Sequence, residues 1–291
     1  MSIKHPIISV TGSSGAGTTS VRHTFENIFR RESVHAAFVQ GDAFHRYDRA
    51  AMEKAMRAAA KRGNMHFSHF GADANLFTEI EKLFQTYAEK GIGRIRQYIH
   101  DLTEAHATNS EVGCFTPWTD IEPGTDLLLY EGLHGAVSTA SVNIAQYADL
   151  KIGVVPVINL EWIQKIDRDR TTRGYTTEEV TAAILRRMPD YIKYICPQFA
   201  ETDINFQRVP IVDTSNPFMA RWIPTPDESM VIIRFKEPRG IDFPYLLSMI
   251  PDSFMSRPNA IVIPGGKQDL AMQLILTPLI LQLVERRRRT I

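Results

Sequence analysis

The segment VTGSSGAGTTS, residues 10–20, follows a short apolar stretch and has the glycine spacing of a phosphate-binding loop. In the pattern G-x-x-x-x-G-K-[ST], Gly12 and Gly17 take the glycine positions, and Thr19 supplies the hydroxyl that binds Mg²⁺. Thr18 stands where the pattern has its lysine. The missing lysine leaves a second interpretation open, a flexible turn that binds nothing. The residues predicted to hold phosphates are Gly12, Ser13, Ser14, Gly15, Ala16, Gly17, Thr18, Thr19 and Ser20.

A cationic segment further along the chain could replace that lysine. In NLEWIQKIDRDRTTRGY, Lys165, Asp169 and Arg173 are spaced i, i+4 and i+8, so they share one face of a helix, and Arg168 lies beside that face. Phosphoryl transfer needs positive charge around the moving group and little covalent chemistry. Lys165 or Arg168 is therefore a candidate for the charge that Thr18 lacks. The alternative is a solvated helix with ordinary i, i+4 ion pairs.

Asp42, His45 and Arg49 fall in one short segment, GDAFHRYDR, after the second predicted strand. Ligands bind at the carboxyl ends of strands in open α/β sheets. A carboxylate beside a substrate hydroxyl can position it and accept its proton, and His45 with Arg49 can hold a phosphate on the same substrate. The segment fits equally well a capped turn, in which Asp42 accepts backbone amides and His45 is half-buried.

Glu131 ends the apolar run LLLYEG and is a candidate for the acid that helps to hold Mg²⁺ beside a phosphate-binding loop. Gly132 and Gly135 in EGLHG indicate tight turns of the backbone just after it. The alternative is a glutamate at a strand end with no ligand.

Strands and helices alternate along the chain, which predicts an α/β fold. Strands are expected at residues 7–10 and 36–39, in LLLYEG and LKIGVVPV, and later in VPIVD, MVIIRF and AIVIP. Helices are expected at residues 19–31, 50–62 and 73–89. A further helix should run from a cap at Asn159 to Gly174, and another from a Thr176–Glu179 capping box through Arg187, where Pro189 kinks or ends it. The last helix is expected at residues 268–289, with a bend at Pro278. No repeat or linker interrupts the pattern, so we expect one domain over residues 1–291 with irregular insertions.

The composition sets the class of protein. The 33 basic residues equal the 33 acidic ones, so no overall charge favours nucleic acid or a membrane surface. Two cysteines, Cys114 and Cys196, form neither a disulfide framework nor a zinc cluster. No signal peptide or membrane-spanning run is predicted, and a cytoplasmic protein is expected.

The chain resembles the phosphoribulokinase family, in its bacterial, octameric type, in the segments PIISVTGSSGAGTTSV, GDAFHRYDR, LLLYEGLHG, IGVVPVINLEWIQKIDRDRTTRGYTTE and IVDTSNPFMARWIPTPDES. The resemblance covers essentially the whole chain, and RDRTTRG is also similar to uridine kinase. It implies a P-loop kinase fold with a mixed, mostly parallel sheet flanked by helices. The implied reaction is the ATP-dependent phosphorylation of ribulose 5-phosphate to ribulose 1,5-bisphosphate, which feeds carbon fixation by the Calvin cycle.

The resemblance also implies roles for the candidate residues. ATP is expected on residues 12–20, Asp42 is the implied general base, and Lys165 is the implied lysine that acts where the loop has none. Asp169 completes the catalytic set. The implied metal ligands are Thr19, Glu131 and Asp169, and the implied sugar-phosphate ligands are His45, Arg49, Arg168 and Arg173.

The bacterial type further implies a homo-octamer that NADH activates and AMP inhibits. Anionic effectors need cationic clamps, and Arg31, Arg234 and Arg257 are the candidates. Plain surface or interface ion pairs are the alternative for the last two arginines. Ala16 and its neighbours offer no thiol, which argues against redox control of the loop.

Two other functions stay open. A uridine kinase would need a pocket for a base, and a phosphate cradle of His45 and Arg49 would then be superfluous. A nucleotide switch such as a GTPase should carry an N-K-x-D motif, which the sequence lacks. Tyr98 and His100 are weaker candidates for a sugar pocket, and no role is predicted for the irregular residues 63–73.

Overall fold

A computed structural model of the protein describes residues 4–13, 18–219 and 222–290, and for residues 18–20 and 173 only the backbone. Its strands in chain order are β1 (Ile7–Gly12), β2 (Ala36–Gln40), β3 (Arg94–Ile95), β4 (Thr119–Asp120), β5 (Leu127–Gly132), β6 (Leu150–Val155), β7 (Ile204–Pro210), β8 (Ser229–Phe235), β9 (Phe254–Arg257) and β10 (Ala260–Pro264). Eight of them form one sheet in the order β2-β5-β1-β6-β7-β8-β10-β9, and β3 pairs with β4 in a separate ribbon.

The first five strands of that order are parallel, and β8 and β9 run against them. All six residues of β1 are buried, because β1 lies between β5 and β6 with both faces covered. The carboxyl ends of β2, β5, β1 and β6 therefore meet at one edge of the sheet.

The helices in chain order are α1 (Thr18–Arg31), α2 (Arg49–Lys61), α3 (Phe77–Lys90), α4 (Leu102–Thr108), α5 (Ile158–Arg173), α6 (Thr177–Asp190), α7 (Gln198–Glu201), α8 (Phe243–Met249) and α9 (Gln268–Arg288). Helices α1 and α9 pack on one face of the sheet, where Phe25 and Ile28 meet Ile275 and Leu276 in the larger core. Helix α3 packs on the opposite face through a helical stripe of Ile80, Leu83, Phe84 and Tyr87.

The predicted α/β class with a mixed, mostly parallel sheet is confirmed, and several predicted bounds lie close to the observed ones. The helices expected at residues 19–31, 50–62 and 268–289 agree with α1, α2 and α9 within one residue at each end. The capping box is present, since the Thr176 hydroxyl accepts the Glu179 amide at 3.2 Å and the Glu179 carboxylate accepts the Thr176 amide at 2.8 Å.

Three predictions about element bounds were wrong. The strand expected in VPIVD is β7, which begins earlier at Ile204 and ends at Pro210, because Ile204 and Phe206 enter the core whereas Ile211 is exposed. Asn159 lies inside α5, whose N-cap is Val157. The helix expected from residue 73 begins at Phe77, because residues 72–74 form a separate 3₁₀ turn.

Neither Pro189 nor Pro278 is the last residue of its helix. Helix α6 includes Pro189, runs to Asp190 and is followed directly by a π-helical turn, Tyr191–Ile195. Helix α9 continues through Pro278. The edge strand β9 was missed because its four residues are mostly exposed and show no apolar alternation. Among the described residues, no helix combines the length and apolar character that a membrane crossing requires.

Candidate active site

The candidate residues converge on the sheet edge where β2, β5, β1 and β6 end. Residue 131 of β5 pairs with Gln40 of β2 on one side and with Val10 of β1 on the other. Glu131 therefore lies between the segment that carries Asp42 and the start of the predicted phosphate-binding loop. Helix α5 follows β6 at the same edge, which places its cationic face beside them.

Close backbone contact holds the Asp42 turn against β5. A Cβ atom added at Gly41 would lie 2.6 Å from the Tyr130 hydroxyl and 2.8 Å from the Gly132 Cα, and one added at Gly132 would lie 2.6 Å from the Gly41 Cα. Only glycine fits at both positions without a shift of backbone. The sequence predicted a tight turn at Gly132. In the structure, the glycine instead allows the backbones at residues 41 and 132 to approach each other closely.

Each oxygen of the Asp42 carboxylate faces one imidazole. Oδ1 lies 3.3 Å from Nε2 of His45, and Oδ2 lies 3.5 Å from Nε2 of His100. Burial alone would raise the pKa of Asp42, but the charges and hydrogen bond of His45, with weaker contributions from His100 and His69, hold it well below its usual range. The Asp42 carboxylate is therefore ionised at neutral pH.

His45 is buried and Arg49 is not. The same Asp42 carboxylate raises the pKa of His45, although burial opposes the charge. Arg49 is the first residue of α2, its side chain is exposed, and it lies against Gly113, which has a φ of 87°. The capped turn envisaged as an alternative is real but involves Asp48, whose carboxylate accepts the Ala51 amide at 2.7 Å.

Arg96 is a site residue that sequence reasoning missed. Its guanidinium donates to the carbonyls of Ala43 at 2.7 Å and His45 at 2.8 Å, so it fixes the backbone of the Asp42 turn. The rings of Phe115 and Trp118 lie 3.6 and 4.7 Å from the guanidinium carbon. Nothing in the isolated segment GRIRQ signals this role, because all the partners come from distant parts of the chain.

The predicted pairing of Lys165 with Asp169 on α5 is present, with Arg168 beside it. Asp169 accepts hydrogen bonds from the Lys165 ammonium through Oδ2 and from the Arg168 guanidinium at 3.1 Å through Oδ1. Lys165 and Asp169 are both buried, which excludes the solvated-helix alternative for this pair. Burial and the charge of Arg187 lower the pKa of Lys165 to about 8, although Asp169 opposes that change.

Two further residues belong to this cluster. Glu161 is buried one turn before Lys165, and burial raises its pKa although Ser13, Tyr191 and Lys165 stabilise its charge. Arg187 on α6 acts electrostatically on both Lys165 and His45, so its charge links the α5 cluster to the Asp42 cluster. Sequence reasoning placed Arg187 only at a helix end.

The loop itself is described only at its borders. Gly12 ends β1 and pairs with Val154, and Ser13 is fully buried. Thr11 donates to Gln198 at 3.0 Å and ties the start of the loop to α7. Ser14, Gly15, Ala16 and Gly17, and the side chains of Thr18, Thr19, Ser20 and Arg173, lie outside the description.

The donors at this edge suit Mg²⁺ bound together with a nucleotide. Mg²⁺ prefers oxygen ligands and is usually held by one or two carboxylates plus substrate phosphates and water. Glu131 supplies one carboxylate beside the start of the loop, and Asp169 supplies another on α5. In the described parts of the chain, no group of three or more His, Cys, Asp or Glu side chains could hold a metal by itself.

The three arginines expected to bind effectors do not lie together in one chain. Arg234 of β8 and Arg257 of β9 both pair with Ala260, and Arg234 donates to the Phe199 carbonyl at 3.0 Å. Arg31 ends α1 and donates to Gln273 and Thr277 of α9, on the opposite face of the sheet.

The chain is similar to known proteins over almost its whole length. The sequence model of the Phosphoribulokinase / Uridine kinase family matches residues 7–215. The chain is 70% identical over 286 residues to the phosphoribulokinase of Nitrobacter vulgaris, covering 98% of this chain and 99% of that protein. It is 70% identical over 289 residues to the phosphoribulokinase of Xanthobacter flavus, covering 99% of each. It also matches the solved structure of phosphoribulokinase from Rhodobacter spheroides with a TM-score of 0.91 and 61% identity, covering 99% of this chain and 100% of that one.

Proposed function

The chain belongs to the phosphoribulokinase / uridine kinase family, and from that premise we propose that Asp42, Lys165 and Asp169 carry out its reaction. The protein is a kinase that transfers the γ-phosphoryl group of ATP to ribulose 5-phosphate, giving ribulose 1,5-bisphosphate and ADP for carbon fixation by the Calvin cycle. The observation that carries the assignment of roles is the ionised Asp42 carboxylate, held between two imidazoles at the sheet edge where the loop begins.

Asp42 is the general base in this proposal. The hydroxyl oxygen at C1 of the sugar bonds to the γ-phosphorus, the bond from that phosphorus to the β,γ-bridging oxygen breaks, and ADP leaves. The hydroxyl proton passes to the Asp42 carboxylate. A carboxylate with a low pKa suits a loose transition state, in which the attacking oxygen becomes acidic late and needs orientation more than a strong base.

Lys165 supplies the positive charge that Thr18 lacks. Its ammonium is buried on α5 and held by Asp169, so it is oriented before the substrates bind. Thr19, Glu131 and Asp169 would hold Mg²⁺, which neutralises charge on the phosphates of bound ATP. The ATP phosphates themselves would lie on residues 12–20.

Arg49 and Arg173 bind the sugar phosphate directly in this scheme, and Arg168 supports Asp169. His45 acts on the phosphate through its charge, because its two ring nitrogens face Asn75 and Asp42. Asp42 raises the pKa of His45, which favours the positive charge that a phosphate complements. His100 contacts the base directly and joins the sugar side of the site.

We further propose a cytoplasmic, single-domain enzyme that assembles into octamers, with NADH as activator and AMP as inhibitor and no nucleic-acid or membrane partner. Since Arg31 lies on the opposite face of the sheet from Arg234, a site that includes Arg257 as well would need surfaces from more than one copy. Arg234→Ala should abolish NADH activation and leave the basal rate intact. Unaltered activation in that variant would remove Arg234 from the effector site.

A panel of acceptors tests the substrate. ATP turnover should be measured with ribulose 5-phosphate, uridine and pantothenate, with Asp42→Asn as the catalytically impaired control. Turnover with ribulose 5-phosphate alone supports the proposal, because the basic groups near Asp42 suit a phosphorylated acceptor. Preferred turnover of uridine would establish the alternative activity within the same family.

A further inference from the structure

The side-chain amide of Asn75 has only one possible orientation. Asn75 is buried, and its Nδ2 donates to the carbonyls of His69 and Gly71, both at 2.7 Å. Carbonyl oxygens only accept, so a flipped amide would set oxygen against oxygen at both contacts. The acceptor Oδ1 must therefore face His45, whose Nδ1 lies 2.8 Å away.

The segment that supplies those two carbonyls is itself fixed. The Ser68 hydroxyl donates to the Asp190 carboxylate at 2.8 Å, and a Cβ at Gly71 would lie 2.5 Å from the same carboxylate. Backbone hydrogen bonds from Arg46 to Ala74 at 2.8 Å and from Leu76 to Phe44 at 2.9 Å join Asn75 to the His45 segment. The previously unassigned residues 63–73 therefore form part of a rigid frame for one histidine.

This frame decides where the protons of His45 lie. With Asn75 Oδ1 as the partner, Nδ1 must carry a proton and donate it. Nε2 then faces the Asp42 carboxylate at 3.3 Å. In a neutral ring with its proton on Nδ1, a bare lone pair on Nε2 would oppose that carboxylate, whereas the doubly protonated ring donates to both partners.

Two histidines that interact with His45, His69 and His134, do not share its charge. Burial lowers the pKa of His134 to about 3 and, with the charge of His45, lowers that of His69 well below its usual value, so both rings are neutral at neutral pH. The His69 ring lies 4.5 Å from the His45 ring, centroid to centroid. Arg187 opposes the His45 charge, and Asp42 outweighs it. Within the described part of the chain, the titratable or charged groups that face His45 are Asp42, His69, Arg96, Tyr98, His134 and Arg187.

We propose that Asn75 is a positioning residue that locks His45 as an imidazolium ion, so that the acceptor side of the site keeps a fixed cation bonded to Asp42. The protonation of His45 follows from the hydrogen bonds alone. The effect of that charge on binding of the acceptor substrate rests on the proposed function. A fixed imidazolium holds the base in position and favours a phosphorylated acceptor over an uncharged one.

The direct test needs no substitution in the frame. Magic-angle spinning NMR of ¹⁵N-histidine-labelled protein can follow each ring nitrogen with pH, and the spectrum of His45→Asn identifies the His45 signals. We expect both nitrogens of His45 to be protonated at neutral pH, with Nε2 losing its proton first as the pH rises. A neutral ring at neutral pH with its only proton on Nε2 would overturn the proposal. This result is independent of which acceptor the enzyme phosphorylates.

Two variants of Asn75 should move that titration differently. Asn75→Leu removes the acceptor and should lower the His45 midpoint by about one pH unit or more, the effect of losing one hydrogen bond to a charged group. Asn75→Asp keeps an acceptor oxygen toward His45, and the midpoint should stay or rise, although the second carboxylate oxygen opposes the carbonyls of His69 and Gly71 and should lower the thermal midpoint of the protein. Equal midpoints in the wild type and Asn75→Leu would show that Asn75 does not control the charge.

Binding of ribulose 5-phosphate without ATP gives a second readout. Asn75→Leu should weaken binding more at about pH 8 than at about pH 6, because His45 stays protonated in the variant only at the lower pH. In a His45→Asn background, Asn75→Leu should cause little further loss. If Asn75→Leu weakens ribulose 5-phosphate binding equally at both pH values, or weakens it as much in the His45→Asn background as in the wild type, Asn75 has only a structural role.

Discussion

Asp42 and Lys165 both lie among charged side chains, yet the chain assembles the two clusters from different kinds of sequence. The Lys165 cluster is made mostly by one helix, in which residues four apart bring ammonium and carboxylate together. The Asp42 cluster draws on three separate segments: the turn that carries His45, the stretch around Asn75, and the stretch that carries Arg96 and His100.

The two clusters also treat their central charge differently. Around Asp42 every direct partner favours the ionised form, and its pKa lies below the usual range. Around Lys165 burial and Arg187 disfavour the charge, and its pKa falls to about 8. Two ionisable groups in opposite environments can serve separate roles at one pH. Asp42 stays a carboxylate over a wide pH range, whereas Lys165 loses its positive charge at alkaline pH.

Asp42→Asn should show the largest effect. The amide keeps the shape of the side chain but cannot accept a proton, and we expect kcat to fall by about 10² to 10⁴. Apparent affinities for ATP and ribulose 5-phosphate should change by less than about tenfold, since other residues bind them. Asp120→Asn, at an exposed position, is the matched control.

The thermal midpoint of Asp42→Asn separates chemistry from folding. We expect only a small fall, because the backbone of the turn is held by Arg96 and by the glycine contacts, although the buried His45 ring loses its ionic partner. Early unfolding would favour a structural carboxylate, and near-normal turnover would remove Asp42 from the reaction.

Lys165→Met tests the second cluster. We expect kcat to fall by about a hundredfold or more, the scale of losing one transition-state donor, with a much smaller change in ATP binding. Arg170→Met changes an exposed cation on the same helix and should leave kcat nearly unchanged. A Lys165 variant within a few-fold of wild type would contradict its assignment as the replacement for the loop lysine.

The contrast between the clusters explains what the sequence could predict. Lys165 and Asp169 were found from i, i+4 spacing, which is a local rule, and Glu131 from the apolar strand that it ends. The α/β order and most helix bounds followed from periodicity. Asn75 and Arg96 could not be found this way, because their contacts depend on backbone carbonyls that only the folded chain brings near.

The same reasoning explains the wrong bounds. Asn159 has the residue type of an N-cap, but the N-cap of α5 is Val157, two residues earlier, where the chain leaves β6. VPIVD has the composition of a strand, but the pairing of β7 with both β6 and β8 places the buried positions further upstream. Tertiary packing decided both cases against local preference.

The pH dependence of turnover sharpens the comparison. Lys165 must be protonated to act, and its pKa of about 8 means that kcat should fall as the pH rises through that value. Lys165→Arg keeps the positive charge in alkali, so its residual activity should decline only at higher pH. An alkaline limb at the same pH in both proteins would assign that limb to another group.

Arg96→Met should give the smallest effect and shows how far the Asp42 cluster depends on remote support. The substitution keeps most of the stem but removes two donors to the carbonyls of Ala43 and His45. Losing these charge-assisted bonds should lower the free energy of unfolding by about 1–3 kcal/mol. A displaced turn should also lower kcat by about tenfold, since small misplacements of a catalytic group are costly.

Arg94→Met is the control, because Arg94 is exposed and its carboxylate partner lies 3.9 Å away. Because Lys165 belongs to a separate helix, the alkaline limb of kcat should stay at the wild-type pH in Arg96→Met. A shifted limb would show that the two clusters are coupled more tightly than their separate construction implies.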